Sequence, residues 1–301
     1  MRKAFIQLHI SVLLAGFTGV LGKLITLNEG LLVWYRLLLT SIALWAMHLF
    51  FKATQSVYRN DLLKIFGIGS IAALHWVTFY GSIKYSNVSV ALVCFSAIGF
   101  FTALAEPLIS KKKVNKVELL LGLMTMAGIA IIFHFDPKYK TGIIVGIFSA
   151  MLASIFPVLN RPLLKKYSAD TVTLYELTGG FLFMSICLPL YLFLFPATQT
   201  VPVLSDWLWL LVLSLLCTVL AFNLSMKALV KISAFTVNLT FNLEPVYGIL
   251  LAFIIYKENK NLSFEFYIGM SIILVSVIFQ TLIVYRSSIQ KRKENIPLSS
   301  K

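Results

Sequence analysis

Charge is scarce in this chain. Asp, Glu, Lys and Arg make up 13% of its 301 residues, about half the share found in soluble globular domains. That excludes a soluble enzyme with a polar surface, and it excludes disorder, which needs low hydrophobicity and high net charge. Cysteine is limited to Cys94, Cys187 and Cys217, each inside an apolar run and none in CxxC spacing. A disulfide framework and a structural zinc site are therefore excluded. His9 and His48 stand alone with no metal-ligand spacing, and the chain has no HExxH and no GxxxxGK[ST] phosphate loop. No Ser/Lys or Ser/His set stands at persuasive spacing either. The expectation is a protein that is not an enzyme, with no metal and no cofactor.

What is present is apolar length. Hydrophobic residues reach 59% and the mean hydropathy is +0.88. A bilayer-crossing helix needs roughly 20 mostly apolar residues. Ten such segments can be marked, at 5–26, 31–51, 62–84, 87–110, 117–135, 141–162, 171–195, 206–230, 233–257 and 264–285. Their runs are continuous rather than alternating, and too long for barrel strands. The fold expected is all-α, a polytopic membrane protein. The first segment follows Arg2-Lys3 like a signal peptide, but its apolar stretch is too long and no small-residue cleavage site follows, so it is expected to be a retained span.

The net charge of +14 would suggest nucleic acid on a soluble protein. Here the cations are dispersed into short loops. Arg2-Lys3, Lys52, Arg59, Lys64, Lys111–Lys113, Lys116, Arg161, Lys165, Lys166, Lys227, Lys231 and the Arg286–Lys301 tail fall on one side of the ten-span topology; Lys23, Lys84, Lys138, Lys140, Lys257 and Lys260 fall on the other. The positive-inside bias places both termini in the cytoplasm, and lipid rather than nucleic acid is the expected surroundings.

The chain also resembles itself at an offset of about 140 residues. Lys23 and Arg161 end corresponding spans, Tyr35-Arg36 is echoed by Tyr175-Glu176, Ser82-Ile83-Lys84 by Ser225-Met226-Lys227, and Gly122 by Gly269. Each match is weak alone; the shared order carries the inference. Five spans per half is odd, so the second half must enter the membrane inverted, an architecture typical of secondary carriers with a midplane site. The expected units are a first repeat at 1–136, a second at 137–286 and a basic tail at 287–301.

With those residues in view, the sequence resembles the drug/metabolite transporter superfamily in its EamA-type ten-helix branch, over essentially the whole chain. A glycine-rich first helix (Gly16–Gly22) precedes an arginine (Arg36), and the second half closes with Pro245, Glu258, Leu262 and Gly269. The first half departs from this ending: Ile98 and Lys111 stand where the proline and glutamate would be, and Glu106-Pro107 comes later. The resemblance implies a carrier or exporter of small polar or amphipathic metabolites in a bacterial plasma membrane, without nucleotide hydrolysis, as a monomer or homodimer.

Charges inside a span are costly, about 2.5–3.5 kcal/mol for Asp, Lys or Arg at mid-helix on insertion scales, so their presence points to a cavity or a partner. Glu244 lies near the middle of span nine, before Pro245, and is the leading candidate to bind a cationic group or carry a proton. Arg36 is placed to hold a carboxylate or phosphate. Glu176 is its counterpart near the opposite face, and Glu106, beside Pro107, lies near the lysines at 111–113. His75, Trp76 and Tyr80 in span three suit an amphipathic pocket, together with Asn223 and Asn242. Pro245, Pro107, Gly16 and Gly19 are candidate hinge or close-packing positions. Against each stands a structural reading, in which buried polar groups only hold helices together. At the level of the whole protein the alternative is a membrane receptor or structural protein that transports nothing.

Overall fold

The computed structural model describes residues 2–51, 54–111, 113–135, 137–241 and 243–294. Its helices are α1 (Arg2–Leu24), α2 (Glu29–Phe51), α3 (Arg59–Tyr85), α4 (Val88–Phe95), α5 (Ile98–Ser110), α6 (Lys116–Phe135), α7 (Lys140–Leu163), α8 (Ala169–Leu194), α9 (Leu204–Ser214), α10 (Ala221–Leu229), α11 (Ala234–Phe241), α12 (Glu244–Tyr256) and α13 (Phe264–Glu294). No strand occurs among the described residues. Eight stretches are long and apolar enough to cross a bilayer alone, with α4–α5 and α9–α10 each counted as one. The α11–α12 pair and α13 bring the number to ten.

Three spans are interrupted. Between α4 and α5 the chain tightens through Ser96 N–H to Val93 O and Ala97 N–H to Cys94 O, both 3.1 Å. The α11–α12 break ends at Glu244-Pro245, where proline in the first turn of α12 suits the start of a helix because its missing N–H would have no partner there. Between α9 and α10, Leu215–Leu220 forms a π-helical segment, a widening that recurs at functional sites. Irregular backbone at membrane depth survives only where protein or a cavity surrounds it.

The packing repeats between the halves. Span three packs on span seven (α3 on α8), and span two on span eight (α2 on α9 and the π segment). Span one packs on α10 and α12, while its counterpart α7 packs on α3 and α5. Spans four and nine (α4 with α12) meet each other, as do spans five and ten (α6 with α13). These pairings map onto one another when the halves are exchanged, the signature of a pseudo-two-fold axis. The backbone carries the same mark: Lys111 (φ 52°) and Lys257 (φ 54°) end α5 and α12 at corresponding positions, and are the two non-glycine residues in the left-handed region among those described. Two aspartates do as well. Asp61, near the start of α3, accepts from Lys166 Nζ and Tyr167 OH at 3.1 Å each; Asp206, near the start of α9, accepts from Thr26 N (3.0 Å) and Thr26 Oγ1 (2.7 Å). Each ties a third or eighth span to the loop after the first span of the other half.

Glycine permits the closest crossing, where α3 meets α8. A Cβ on Gly69 would fall on the backbone carbonyl oxygen of Glu176 and 2.8 Å from Gly180 N, whereas one on Gly67 would meet nothing within 4 Å. Two alanine substitutions on one helix should therefore act oppositely. Gly69→Ala forces backbone apart and is expected to cost about 1–3 kcal/mol or more, and Gly67→Ala to gain up to about 1 kcal/mol in helix propensity. Thermal melting of the purified protein in detergent, with the two variants shifting in opposite directions, is the check.

Candidate functional site

The three interruptions converge. The α4–α5 break (Phe95, Ile98), the π segment (Cys217) and Glu244 at the head of α12 all face one cavity of about 90 Å³ in the middle of the bundle. Ser11, Ala15 and Thr18, spaced along one face of α1, form a second wall; Trp76 and Phe79 of α3 and Phe156 of α7 form a third. Most of this lining is apolar, with a few polar side chains converging on it, the usual make-up of a small-molecule site.

Arg36 comes from α2 and is 2% exposed. Its Nε donates to Thr218 Oγ1 (2.8 Å) in the π segment and its Nη1 to Tyr80 OH (2.8 Å). The guanidinium carbon lies 3.9 Å from the centre of the Trp76 ring, a desolvated cation–π contact of about 2 kcal/mol. Of five N–H donors, two are used in these bonds, and the other three have no acceptor among the described residues. The π segment matters here: the widened turn lets Thr218 Oγ1 donate to Leu213 O at 2.8 Å while its lone pair faces Arg36.

Glu244 lines the same cavity, is 5% exposed, and makes no hydrogen bond or ion pair among the described residues. A carboxyl without a partner in such a place is costly. His75 also faces the cavity; its Nδ1 meets Ser149 Oγ at 2.8 Å and Ser149 O at 3.1 Å, and its ring stacks on Phe95 at 5.5 Å.

Of the residues anticipated from sequence, Arg36, His75, Trp76 and Glu244 are brought together here, with Tyr80 behind Arg36 as a buried support. Others lie elsewhere. Asn223 points away from the cavity and bonds Asp170 at 2.8 Å. Glu106 reaches Arg161 of α7 at 3.5 Å. Glu176 does not pair with Arg36; it is fully buried and bonds Asn160 of α7 at 2.7 Å. Asn242 lies outside the described residues. Gly16 gives close contact, a Cβ there falling 2.9 Å from Tyr247 Cβ of α12, and Gly19 would come 3.2 Å from Val88 Cγ1. Pro107 lies inside α5 and Pro245 opens α12. Thr218 and Ser149 were not legible as site residues, because a lone hydroxyl in an apolar run carries no pattern.

At one end of the bundle a carboxylate ties the end of α1 to the start of α4. Glu258, 4% exposed, accepts from Lys23 Nζ (2.7 Å), Ser89 Oγ (2.7 Å), Ser89 N (2.9 Å) and Val88 N (3.2 Å). The last two are N–H groups at the start of α4, where the helix favours an anion. Lys23, which stays exposed on one side, bonds Glu258 and lies 4.4 Å over the Tyr256 ring. At the other end, which carries both termini, the run Lys111-Lys112-Lys113 stands in the sequence where the second half has Lys257-Glu258-Asn259, a lysine opposite Glu258. There the first turn of α11 is capped by Ser233 from the adjoining loop (Thr236 N to Ser233 Oγ, 3.1 Å). The cavity lining runs toward that second end, to Leu229, Val237 and Asn238.

A ten-span bundle of two opposed halves, with broken helices meeting at a small polar-tipped cavity, defines a membrane carrier. The comparisons name its kind. The EamA-like transporter family matches residues 2–134 and again residues 140–282, and the chain belongs to this family. It is 25% identical over 300 residues to an uncharacterized transporter, YetK, of Bacillus subtilis (strain 168), covering 93% of this chain and 87% of that protein. It is 26% identical over 261 residues to an uncharacterized transporter of Archaeoglobus fulgidus, covering 83% and 86%. A protein solved by crystallography shares the fold at a TM-score of 0.67 and 17% identity, over 95% of this chain and 99% of that one.

If the Glu258 cluster closes one end, Glu258→Ala leaves the Val88 and Ser89 N–H groups and Lys23 without their acceptor, at about 1–3 kcal/mol for each buried group. Cys217, in the cavity lining, reports the outcome once Cys94 and Cys187 are replaced by serine. Membrane-impermeant thiol reagents are expected to label it from the side of the termini in both proteins, and from the opposite side only in Glu258→Ala.

Proposed function

We propose that this transporter is a secondary exporter of small amino-acid-like solutes. It works by alternating access of its two halves in a bacterial plasma membrane, with both termini in the cytoplasm and with proton coupling. The observation that carries the reading is the pairing of opposite charges in one cavity: among the described residues Arg36 has N–H donors to spare and Glu244 has no partner, and both face an aromatic-walled space. A zwitterion satisfies both, its carboxylate on the guanidinium fork and its ammonium on Glu244. Emptied of solute, Glu244 takes a proton instead, which links solute release to proton uptake at that side chain.

The closed Glu258 end and the lining that runs toward the termini fit a resting state open to the cytoplasm, the state in which an exporter loads. Export also follows the family resemblance, and the loop cations support the orientation.

Reconstituted protein should move radiolabelled amino acids from a mixed pool. Glu244→Gln is expected to weaken apparent affinity by about tenfold to a hundredfold, the equivalent of the ~1.5–3 kcal/mol of a hydrogen bond to a charged group, and to flatten the dependence on pH. Full and still pH-dependent flux in Glu244→Gln would remove this carboxyl from the mechanism; absence of flux for every amino acid would remove the solute class.

A further inference from the structure

Glu176 and Asn160 form a buried pair that the central cavity does not use. Both are 0% exposed. Asn160 Nδ2 donates to Glu176 Oε2 at 2.7 Å. Two atoms of this pair are left without a partner, Glu176 Oε1 and Asn160 Oδ1. Each is an acceptor in the ionised pair, so neither can satisfy the other. A single proton on Glu176 Oε1 makes that atom a donor, and Asn160 Oδ1 is the acceptor it lacks. The result is a carboxylic acid–amide ring with two parallel hydrogen bonds, in which one proton satisfies both orphaned atoms.

The surroundings supply no other neutralising charge. From α3, Asp61 is bonded to Lys64 and Lys166, and His75 to Ser149. From α7, Arg161 turns to Glu106; from α10, Lys227 turns to Asp170. From α2, Arg36 is bonded to Thr218 and Tyr80, His48 to Thr54, and Glu29 to Tyr191. None makes an ion pair with Glu176 among the described residues. An isolated carboxylate at this depth would be costly.

We propose that Glu176 and Asn160 together form a proton-binding site, separate from the central cavity and set between α7 and α8 near the end that carries the termini. Loaded, the ring links α7 to α8, both of which pack on α3. When water reaches the pair, the Oε1–H bond breaks, the proton passes to water, and the carboxylate is left needing hydration; the two helices then no longer hold together dry. Movement of the halves is thereby linked to a proton that does not compete with solute for Glu244. The coupling role rests on the carrier reading above; the proton site itself does not.

The test is infrared difference spectroscopy on the full chain in lipid, exchanged between H2O and D2O. A protonated-carboxyl carbonyl stretch is expected in the wild type and in Glu244→Gln, and lost in Glu176→Gln. That substitution keeps the fold, because a glutamine forms the same two bonds to Asn160 as an amide–amide ring. Asn160→Leu should shift the band through loss of its acceptor. An identical band set in Glu176→Gln and wild type would overturn the proposal, as would a band in the wild type that disappears when sodium replaces choline, which marks an alkali-cation site. For coupling, Glu176→Gln proteoliposomes loaded with an amino-acid mixture should retain exchange and reach a lower accumulation ratio against a proton gradient, because only the Glu244 proton is still coupled. An unchanged accumulation ratio, or loss of both exchange and accumulation, would overturn that role. A wild type that moves no amino acid counts against the proposed function alone, since the infrared result stands without flux.

Discussion

Lipid provides no hydrogen-bond partner, and most of this structure follows from that. Backbone polar groups are closed within helices, and polar side chains carried into the bundle must find partners across helices or face a cavity. Arg36 meets the demand with Thr218, Tyr80 and the Trp76 face. Glu258 meets it by collecting the free N–H groups of α4 together with Lys23. Among the described residues two carboxyl groups meet it incompletely: Glu244 makes no hydrogen bond or ion pair, and Glu176 bonds Asn160 through Oε2 while its Oε1 has no partner. In a medium where unmet polarity is expensive, these are the two positions to which the proposals above assign a solute and a proton.

The inverted repeat explains both the sameness of the two ends and their difference. Asp61 and Asp206 make matched ties at opposite faces, and Lys111 and Lys257 close matched helices in the left-handed conformation. Symmetry fails at the carboxylate that follows Lys257. Glu258 binds the start of α4, while the residue that follows Lys111 in the first half is another lysine, a cation that a helix N-terminus repels. A carrier needs two conformations of comparable energy, and an exact repeat would make its two ends equivalent. In the carrier proposed above, this difference in sign favours one end closed.

Much of the fold was legible along the chain, and the site only partly. Ten apolar runs, their loop charges and the echo of one half in the other are local or periodic features, so the helices fall close to the expected segments, and the breaks in spans four and nine are additions rather than contradictions. Arg36, His75, Trp76 and Glu244 could be singled out because ionisable or amphipathic residues are conspicuous in a span. Their convergence could not, because it depends on which faces of α2, α3 and α12 turn inward. Asn223 and Glu106 show the limit: equally conspicuous, they bond Asp170 and Arg161 away from the cavity.

By itself, then, the sequence determined that the chain lives in a bilayer, crosses it about ten times and is built as two opposed copies, because bilayer thickness and the cost of charge act on each segment separately. Tertiary structure alone decided which polar groups are satisfied. The Asn160–Glu176 pair, the Glu258 seal and the Thr218 hold on Arg36 join residues from 16 to 182 positions apart. A hydrogen bond operates over about 3 Å, a distance that only the packed bundle defines.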